Sequence, residues 1–143
     1  MVLNTCLFCR IASGDVPATV VYENEFTLTF LDHRPLFPGH CLVVPKEHYE
    51  TLADLPKSLV GPVFETVQLL SRAVESALAA EGSFVAMNNR VSQSVPHLHV
   101  HVVPRKKKDG LKGFFWPRTK YENEESMVEI KQRIISAITK LQQ

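Results

Sequence analysis

The chain has 143 residues, of which 45% are hydrophobic. This is enough for one compact domain over residues 1–143 and too little for two ordinary ones. Its 16 basic residues balance 15 acidic ones, which argues against a general attraction to nucleic acid. No segment is apolar over the length of a signal peptide or a membrane span, so the sequence predicts a cytoplasmic protein without a membrane partner.

The N-terminal half predicts three short strands. Residues 19–22 and 26–31 are rich in β-branched and aromatic residues, and the polar segment 23–25 between them is typical of a hairpin turn. Two prolines and Gly39 in the stretch HRPLFPGH predict a loop. The apolar residues 40–45, HCLVVP, predict the third strand.

The remaining part predicts two helices and two more strands. Apolar residues at helical spacing predict a long helix over 59–80 and a closing helix over 127–141, within a C-terminal extension of about 122–143. Residues 83–89 predict a fourth strand and the segment 94–104 a fifth. The grouping of strands around one long helix predicts an α+β fold with a twisted antiparallel sheet of about five strands.

The stretch SVPHLHVHVVP, residues 94–104, alternates histidine with apolar residues. The histidines are His97, His99 and His101, and the apolar residues are Leu98, Val100 and Val102. This two-residue repeat predicts a half-buried strand with the three rings on one face. Pro96 and Pro104 suit the ends of that strand. The alternative is a polar strand facing solvent, although such strands normally also contain Thr, Lys and Glu.

Three histidines spaced in this way cannot all bind one metal ion. On a regular strand, residues i and i+4 are about 13 Å apart, whereas zinc–nitrogen bonds are about 2 Å long. A pair such as His97 and His99 could share an ion. A catalytic zinc site therefore stays open as an alternative.

The histidine stretch is one of two segments that resemble a known family. HLHVHVV matches the signature His-φ-His-φ-His-φ-φ, where φ is apolar, and the second segment is CLFCRIASGDVPATVVYENEFTLTFLDHRPLFPGHCLVVPKEHYETLADLP. Together they resemble the histidine triad (HIT) superfamily of nucleotide hydrolases and transferases over about residues 6–104. The resemblance is to the zinc-bearing, bacterial-type branch, which is Hint-like and nucleoside phosphoramidase-like, and it implies a HIT-like α+β fold.

The resemblance implies a catalytic role for His99, the middle histidine, as the nucleophile. It would attack the α-phosphate of a nucleoside 5′-phosphoramidate or related nucleotide, and water would hydrolyse the nucleotidyl-histidine intermediate. A neutral imidazole suits this role because its ordinary pKa is near 6.5. His101 would donate to a phosphate oxygen, while Ser94 and Gln93 would contact the phosphate and the leaving group.

The resemblance also implies a nucleoside subsite. Asp32 would bind the ribose hydroxyls, and Asn89 the ribose or phosphate. The apolar walls around the base would be Leu7, Phe8, Ile11 and Phe30. These four residues could equally belong to the core alone. His40 would support the triad through a hydrogen bond, or be an inert histidine at a strand start.

A structural zinc site is implied by relatives that bear zinc. Its ligands here would be Cys6, Cys9, His48 and His97, a closed set with no open position for water. Two alternatives exist for the stretch CLFC: a redox pair, or free buried thiols with His97 bonded to backbone.

The resemblance implies a homodimer and a purine nucleotide as partners. Within the basic segment 105–120, Trp116 would reach across the dimer by resemblance to relatives, whereas a solvated loop without nucleic acid is the simpler interpretation. Ser92 stands where glycine is frequent in the family. Alternative functions are a dinucleoside polyphosphate hydrolase, a zinc metallohydrolase and a non-catalytic nucleotide-binding module.

Overall fold

A computed structural model describes residues 3–111 and 118–143. The described residues form, in chain order, α1 (Leu7–Ala12), β1 (Val20–Glu23), β2 (Thr27–Leu31), β3 (Cys41–Pro45), a short 3-10 helix (Leu52–Asp54), α2 (Lys57–Leu78), β4 (Gly82–Ala86), β5 (Val100–Arg105) and α3 (Glu124–Leu141). The chain divides into two compact units, one ending at Asp109 and the other beginning at Gly110. No helix in the described ranges is both long and apolar enough to cross a membrane.

The five strands form one antiparallel sheet in the order β1-β2-β3-β5-β4. This confirms the predicted α+β fold with a five-stranded sheet. All five residues of β3 are buried, because this strand has neighbours on both sides and packing on both faces. The apolar run HCLVVP is typical of such a strand.

The two faces of the sheet bury different parts of the chain. On one face, β3 and β5 pack against α2; the buried residues of this cluster are Cys41, Val43, Val67, Leu70, Val74, Val100 and Val102. On the other face, β2 and β3 pack against the segment around α1; the buried residues are Cys6, Phe8, Cys9, Leu28, Phe30, Leu42 and Val44. The second face is the one that carries the candidate site.

The histidine strand is shorter than the sequence predicts. β5 begins at Val100, so His97 and His99 lie in the segment that enters it. The prediction that Pro104 ends the strand is also wrong, since β5 continues to Arg105. At Pro104, β5 pairs only with β4, because its pairing with β3 ends at Val102. A proline is accepted there because the missing N–H group has no ladder partner to lose.

The hairpin and the central helix follow the prediction with shifted ends. The turn between β1 and β2 is held by Asn24, whose side-chain oxygen accepts hydrogen bonds from the main-chain N–H groups of Phe26 and Thr27. α2 begins at Lys57, directly after Pro56, rather than at Leu59. It ends at Leu78 because Ala79 adopts a left-handed conformation with φ of 51°.

The C-terminal unit contains α3. This helix begins at Glu124, three residues before the predicted start, because the side chain of Asn123 accepts a hydrogen bond from the N–H of Ser126. Glu124 and Glu125 in its first turn also favour a start at this point. Trp116, which the sequence places near a dimer interface, lies outside the described residues.

Candidate functional site

The three histidine rings lie on the α1 side of the sheet, as the alternation predicts. Phe8 of α1 contacts the rings of His97 and His99, with centroids 5.9 and 5.1 Å away, and the rings of His99 and His101 are 5.1 Å apart. Leu98 points the other way and packs with the α2 side. His97 is fully buried and His99 is 4% exposed, so the alternative of a solvent-facing strand is wrong.

The orientation of His99 is set by the main chain two residues earlier. Its Nδ1 atom lies 2.7 Å from the carbonyl oxygen of His97. Because a carbonyl oxygen only accepts, the neutral His99 ring carries its proton on Nδ1. The lone pair of Nε2 is therefore the one available for chemistry.

His40 fixes the tautomer of His101. The N–H of Leu36 donates to Nδ1 of His40 over 3.1 Å, so neutral His40 carries its proton on Nε2. That Nε2–H lies 2.9 Å from Nδ1 of His101 and donates to it. His101 must then carry its own proton on Nε2, which makes this atom a hydrogen-bond donor. The hydrogen bond predicted for His40 is thus present.

The rings of His40 and His101 are both neutral at physiological pH. Burial lowers the pKa of His101 to about 4, and the neighbouring His99 and His40 act in the same direction while Asp32 opposes them. Burial also lowers the pKa of His40, again with Asp32 opposing. A neutral pair suits the hydrogen-bond chain because each ring then has one donor and one acceptor.

One pocket of about 560 Å³ brings most of the predicted residues together. The predicted site residues that line it are Leu7, Phe8, Ile11, Phe30, Asp32, Ser94, His99 and His101. Four of them are apolar and the other four are polar. The pocket therefore suits a ligand that carries both an apolar ring and hydrogen-bonding groups.

Three predicted residues are not among the described residues that line this pocket. Gln93 uses both ends of its amide within the protein: its oxygen accepts from the N–H of Arg90, and its nitrogen donates to the carbonyl of Glu50 over 2.6 Å. Asn89 accepts from the N–H of Leu52. Both side chains hold the loop before the triad against residues 50–52. His40, the third, reaches the pocket only through His101.

The sequence interpretation missed several residues of the pocket. These are Val16, Pro17, Ala18, Thr19, Leu31, His33, Leu42 and Val95. A signal existed for Leu42, since it pairs with Phe30 on one side and with His101 on the other, in a row across three strands. Cross-strand neighbours share a face of the sheet. The segment 16–19 carries no pattern that would place it there.

A second cluster lies beside the pocket and contains Cys6, Cys9, His48 and His97, whose ligand atoms all lie within 4.8 Å of one another. The Sγ atom of Cys6 is 3.4 Å from Nδ1 of His97, and that of Cys9 is 3.4 Å from Nδ1 of His48 and 3.5 Å from Nδ1 of His97. The Nε2–H of His97 donates to the carbonyl of Pro45 over 2.8 Å, so its Nδ1 lone pair faces the sulfurs.

These distances fit a tetrahedral zinc ion. Zinc bonds of about 2.3 Å to sulfur and 2.0 Å to nitrogen place sulfur and nitrogen ligands about 3.5 Å apart. Burial lowers the pKa of His97 to about 4, which keeps the ring neutral and ready to coordinate. Burial raises the pKa of the Cys9 thiol, and a bound ion would reverse this by favouring the thiolate. The four residues therefore suit a closed structural site.

A third group, Asp32, His40 and His101, also has ligand atoms within 4.8 Å of one another. Here, however, Nε2 of His40 carries the proton that it donates to His101. That nitrogen has no free lone pair while the hydrogen bond persists. The hydrogen-bond pattern thus favours a relay of imidazoles over a second metal site.

Residues 13–108 match the family model of the HIT domain. The chain is 38% identical over 110 residues to adenylylsulfatase HINT3 of Arabidopsis thaliana, covering 76% of this chain and 56% of that relative, so it spans about half of the relative's length. It is 33% identical over 115 residues to adenosine 5′-monophosphoramidase hnt1 of Schizosaccharomyces pombe, covering 79% of this chain and 84% of the relative.

Two solved structures show the same fold. A member of the HIT family from Bacillus subtilis is 32% identical, with a TM-score of 0.83, over 93% of this chain and 96% of that one. A zinc-bound histidine triad family protein from Mycobacterium smegmatis is 41% identical, with a TM-score of 0.72, over 85% of this chain and 87% of that one.

Proposed function

Because this chain belongs to the HIT family, we propose that it is a nucleotide hydrolase that cleaves at the α-phosphate of nucleoside 5′-phosphoramidates or related nucleotides. The names of the two enzyme relatives, an adenylylsulfatase and an adenosine 5′-monophosphoramidase, support an adenylyl group and hence a purine nucleotide. The chain would act as a homodimer, as the sequence resemblance implies.

The observation that carries this proposal is the orientation of His99. Its Nδ1–H is committed to the carbonyl of His97, so Nε2 keeps its lone pair, and its ring lines the 560 Å³ pocket together with Asp32 and Ser94. A neutral imidazole nitrogen in a partly apolar pocket is a competent nucleophile toward phosphorus.

The proposed reaction has two steps. Nε2 of His99 attacks the α-phosphorus, a nitrogen–phosphorus bond forms, and the bond to the leaving group breaks as that group takes up a proton from water. Water then attacks the nucleotidyl-histidine, which releases the nucleoside monophosphate and restores His99. His101, with its proton on Nε2, would donate to a phosphate oxygen in both steps, and the Ser94 hydroxyl would contact the same phosphate.

The nucleoside would occupy the rest of the pocket. Asp32 would accept hydrogen bonds from the ribose hydroxyls, and the base would lie against Leu7, Phe8, Ile11 and Phe30. Zinc at Cys6, Cys9, His48 and His97 would be structural, which the zinc-bound relative from Mycobacterium smegmatis supports. In that position zinc would link α1 to the loop before β5.

The test is a panel of adenylyl compounds with different leaving groups. Parent protein and His99→Ala are exposed briefly to adenosine 5′-phosphoramidate, adenylyl sulfate and a diadenosine polyphosphate, and intact mass and turnover are measured. We expect an adenylyl adduct and turnover in the parent, with neither in the variant, whose circular dichroism should be unchanged. Normal turnover by His99→Ala would refute the proposal. Absence of any adduct or turnover in the parent would favour a non-catalytic nucleotide-binding module.

A further inference from the structure

The helix α1 is placed between the pocket and the metal cluster, which is the group Cys6, Cys9, His48 and His97. It has only six residues, too few for a helix to be stable by itself in water. Its N-terminal cap is Cys6, whose sulfur accepts a hydrogen bond from the N–H of Cys9. The two residues between these cysteines, Leu7 and Phe8, both line the pocket. An interaction that fixes the two cysteines therefore also fixes Leu7 and Phe8 in the wall of the pocket.

Phe8 lines the pocket and also contacts two of the histidine rings. Its ring meets the ring of His99 edge to face, at 5.1 Å and 85°, and the ring of His97 at 5.9 Å and 73°. It is also edge to face with Phe30 at 5.3 Å. Phe8 is 5% exposed, so these contacts are buried. Edge-to-face contacts constrain the orientation of both partners, and here one partner is the proposed nucleophile.

A second link runs through the main chain. His97 contributes Nδ1 to the metal cluster and its carbonyl oxygen to Nδ1–H of His99. Its ring is fixed on the far side by the hydrogen bond to Pro45. The residue that would hold the ion is thus the same residue that sets the tautomer of His99. Leu7 is 44% exposed and, being aliphatic, cannot make an edge-to-face ring contact with His99.

We propose that Phe8 is a positioning residue for His99. In this proposal the metal cluster fixes the positions of Phe8 and of the His97 carbonyl relative to the His99 ring. The inference rests on the proposed function of His99. It predicts that the ion acts on the reaction at a distance, through a buried aromatic ring and a main-chain hydrogen bond, without contact with the substrate. The coupling is reciprocal, so a ligand bound in the pocket should also change the coordination of the metal ion.

The first experiment compares Phe8→Leu with Leu7→Ala in the metal-loaded protein. The ¹⁵N shifts of the His99 ring report its tautomer, and steady-state kinetics separate kcat from KM. For Phe8→Leu we expect mixed His99 tautomers and a kcat lower by about tenfold to a hundredfold, with KM within about threefold of the parent. For Leu7→Ala we expect a raised KM with the parent's tautomer and kcat. If Phe8→Leu does not fold, Phe8→Met, whose flexible side chain can fill the gap left by the ring, replaces it.

The second experiment observes the metal directly in the parent and in the same two variants. Cobalt(II) replaces zinc, and the thiolate-to-cobalt absorption is recorded while the pocket is saturated with AMP. We expect a change in this absorption for the parent and for Leu7→Ala, and a smaller change for Phe8→Leu. An unchanged spectrum in the parent with AMP bound would overturn the coupling, as would a folded, metal-loaded Phe8→Leu with the parent's tautomer and kcat. Failure of the proposed reaction would appear separately, as turnover by His99→Ala.

Discussion

The Nε2 atom of His40 lies 2.9 Å from the Nδ1 atom of His101, although 61 residues separate them in the chain. The direction of this hydrogen bond is set by the N–H of Leu36, which occupies the other nitrogen of His40. A main-chain amide cannot change its role from donor to acceptor. The loop before β3 therefore dictates which nitrogen of His101 carries a proton.

Removal of the His40 ring should release His101 from this constraint. We expect His40→Ala to lower kcat by about twofold to tenfold, since half or more of the His101 rings would no longer present Nε2–H. His40→Gln, whose amide can still donate to His101, should recover part of the loss. Leu36→Ala keeps the main-chain donor and should match the parent. The measurements are kcat and the ¹⁵N shifts of the His101 ring. A His40→Ala enzyme with full kcat would contradict a role for the hydrogen bond from His40 to His101.

Asp32 lines the pocket beside the triad, and its proposed partners are the ribose hydroxyls. A hydrogen bond to a charged group contributes about 1.5–3 kcal/mol, so Asp32→Ala should lower kcat/KM by roughly tenfold to a hundredfold. Loss of the ribose hydroxyls from the substrate should have a similar effect on the parent. The combination of both changes should cost little more than either one. Fully additive losses would show that the carboxylate acts elsewhere.

The local patterns of the sequence predict the sheet better than they predict the site. Alternation places Leu98 on the α2 side and the histidine rings on the opposite side, because burial on each face depends only on the two-residue repeat. No such repeat predicts α1, whose six residues are stabilised by contacts with distant parts of the chain. Helices this short depend on packing rather than on local preference.

The loop before the triad shows why site residues are harder to predict. Gln93 and Asn89 are polar residues next to the triad, and the sequence interpretation assigned them to the ligand. In the structure their side chains bond to main-chain groups of Glu50 and Leu52, about forty positions earlier. Such partners leave no periodic pattern in the sequence, since every residue except proline supplies a main-chain N–H and every residue a carbonyl. Only the folded chain shows which polar side chains are already engaged.

The metal cluster predicts a difference between two buried cysteines. Cys9 belongs to the cluster, whereas Cys41 faces α2 and donates its S–H to the carbonyl of Gly39. Metal analysis should find one zinc ion per chain in the parent and in Cys41→Ser, and much less in Cys9→Ser. A strong chelator should lower the melting temperature of the parent by roughly 10 °C or more, because structural zinc contributes to folding. Equal zinc content in all three proteins would contradict the assignment.

The neutral state of His101 makes stability depend on pH. Its pKa in the folded protein is about 4, against an ordinary value near 6.5, with His99 and His40 acting with burial and Asp32 against it. Between these two values the unfolded chain binds more protons than the folded one, so the free energy of unfolding falls as pH decreases from 6.5 towards 4. Above pH 6.5 this group contributes no further slope.

The contribution of His101 can be isolated by difference. Denaturant unfolding of the parent and of His101→Gln is measured at intervals from pH 7 to pH 4, and the two free energies are subtracted at each pH. Both proteins share the metal cluster, so its own response to acid cancels in the subtraction. We expect the parent to lose roughly 1 to 3 kcal/mol more than the variant over this range, less than the full shift would give because the ring is only partly buried. Parallel curves would mean that the pKa of His101 is the same in the folded and the unfolded chain, which would contradict the effect of burial on this ring.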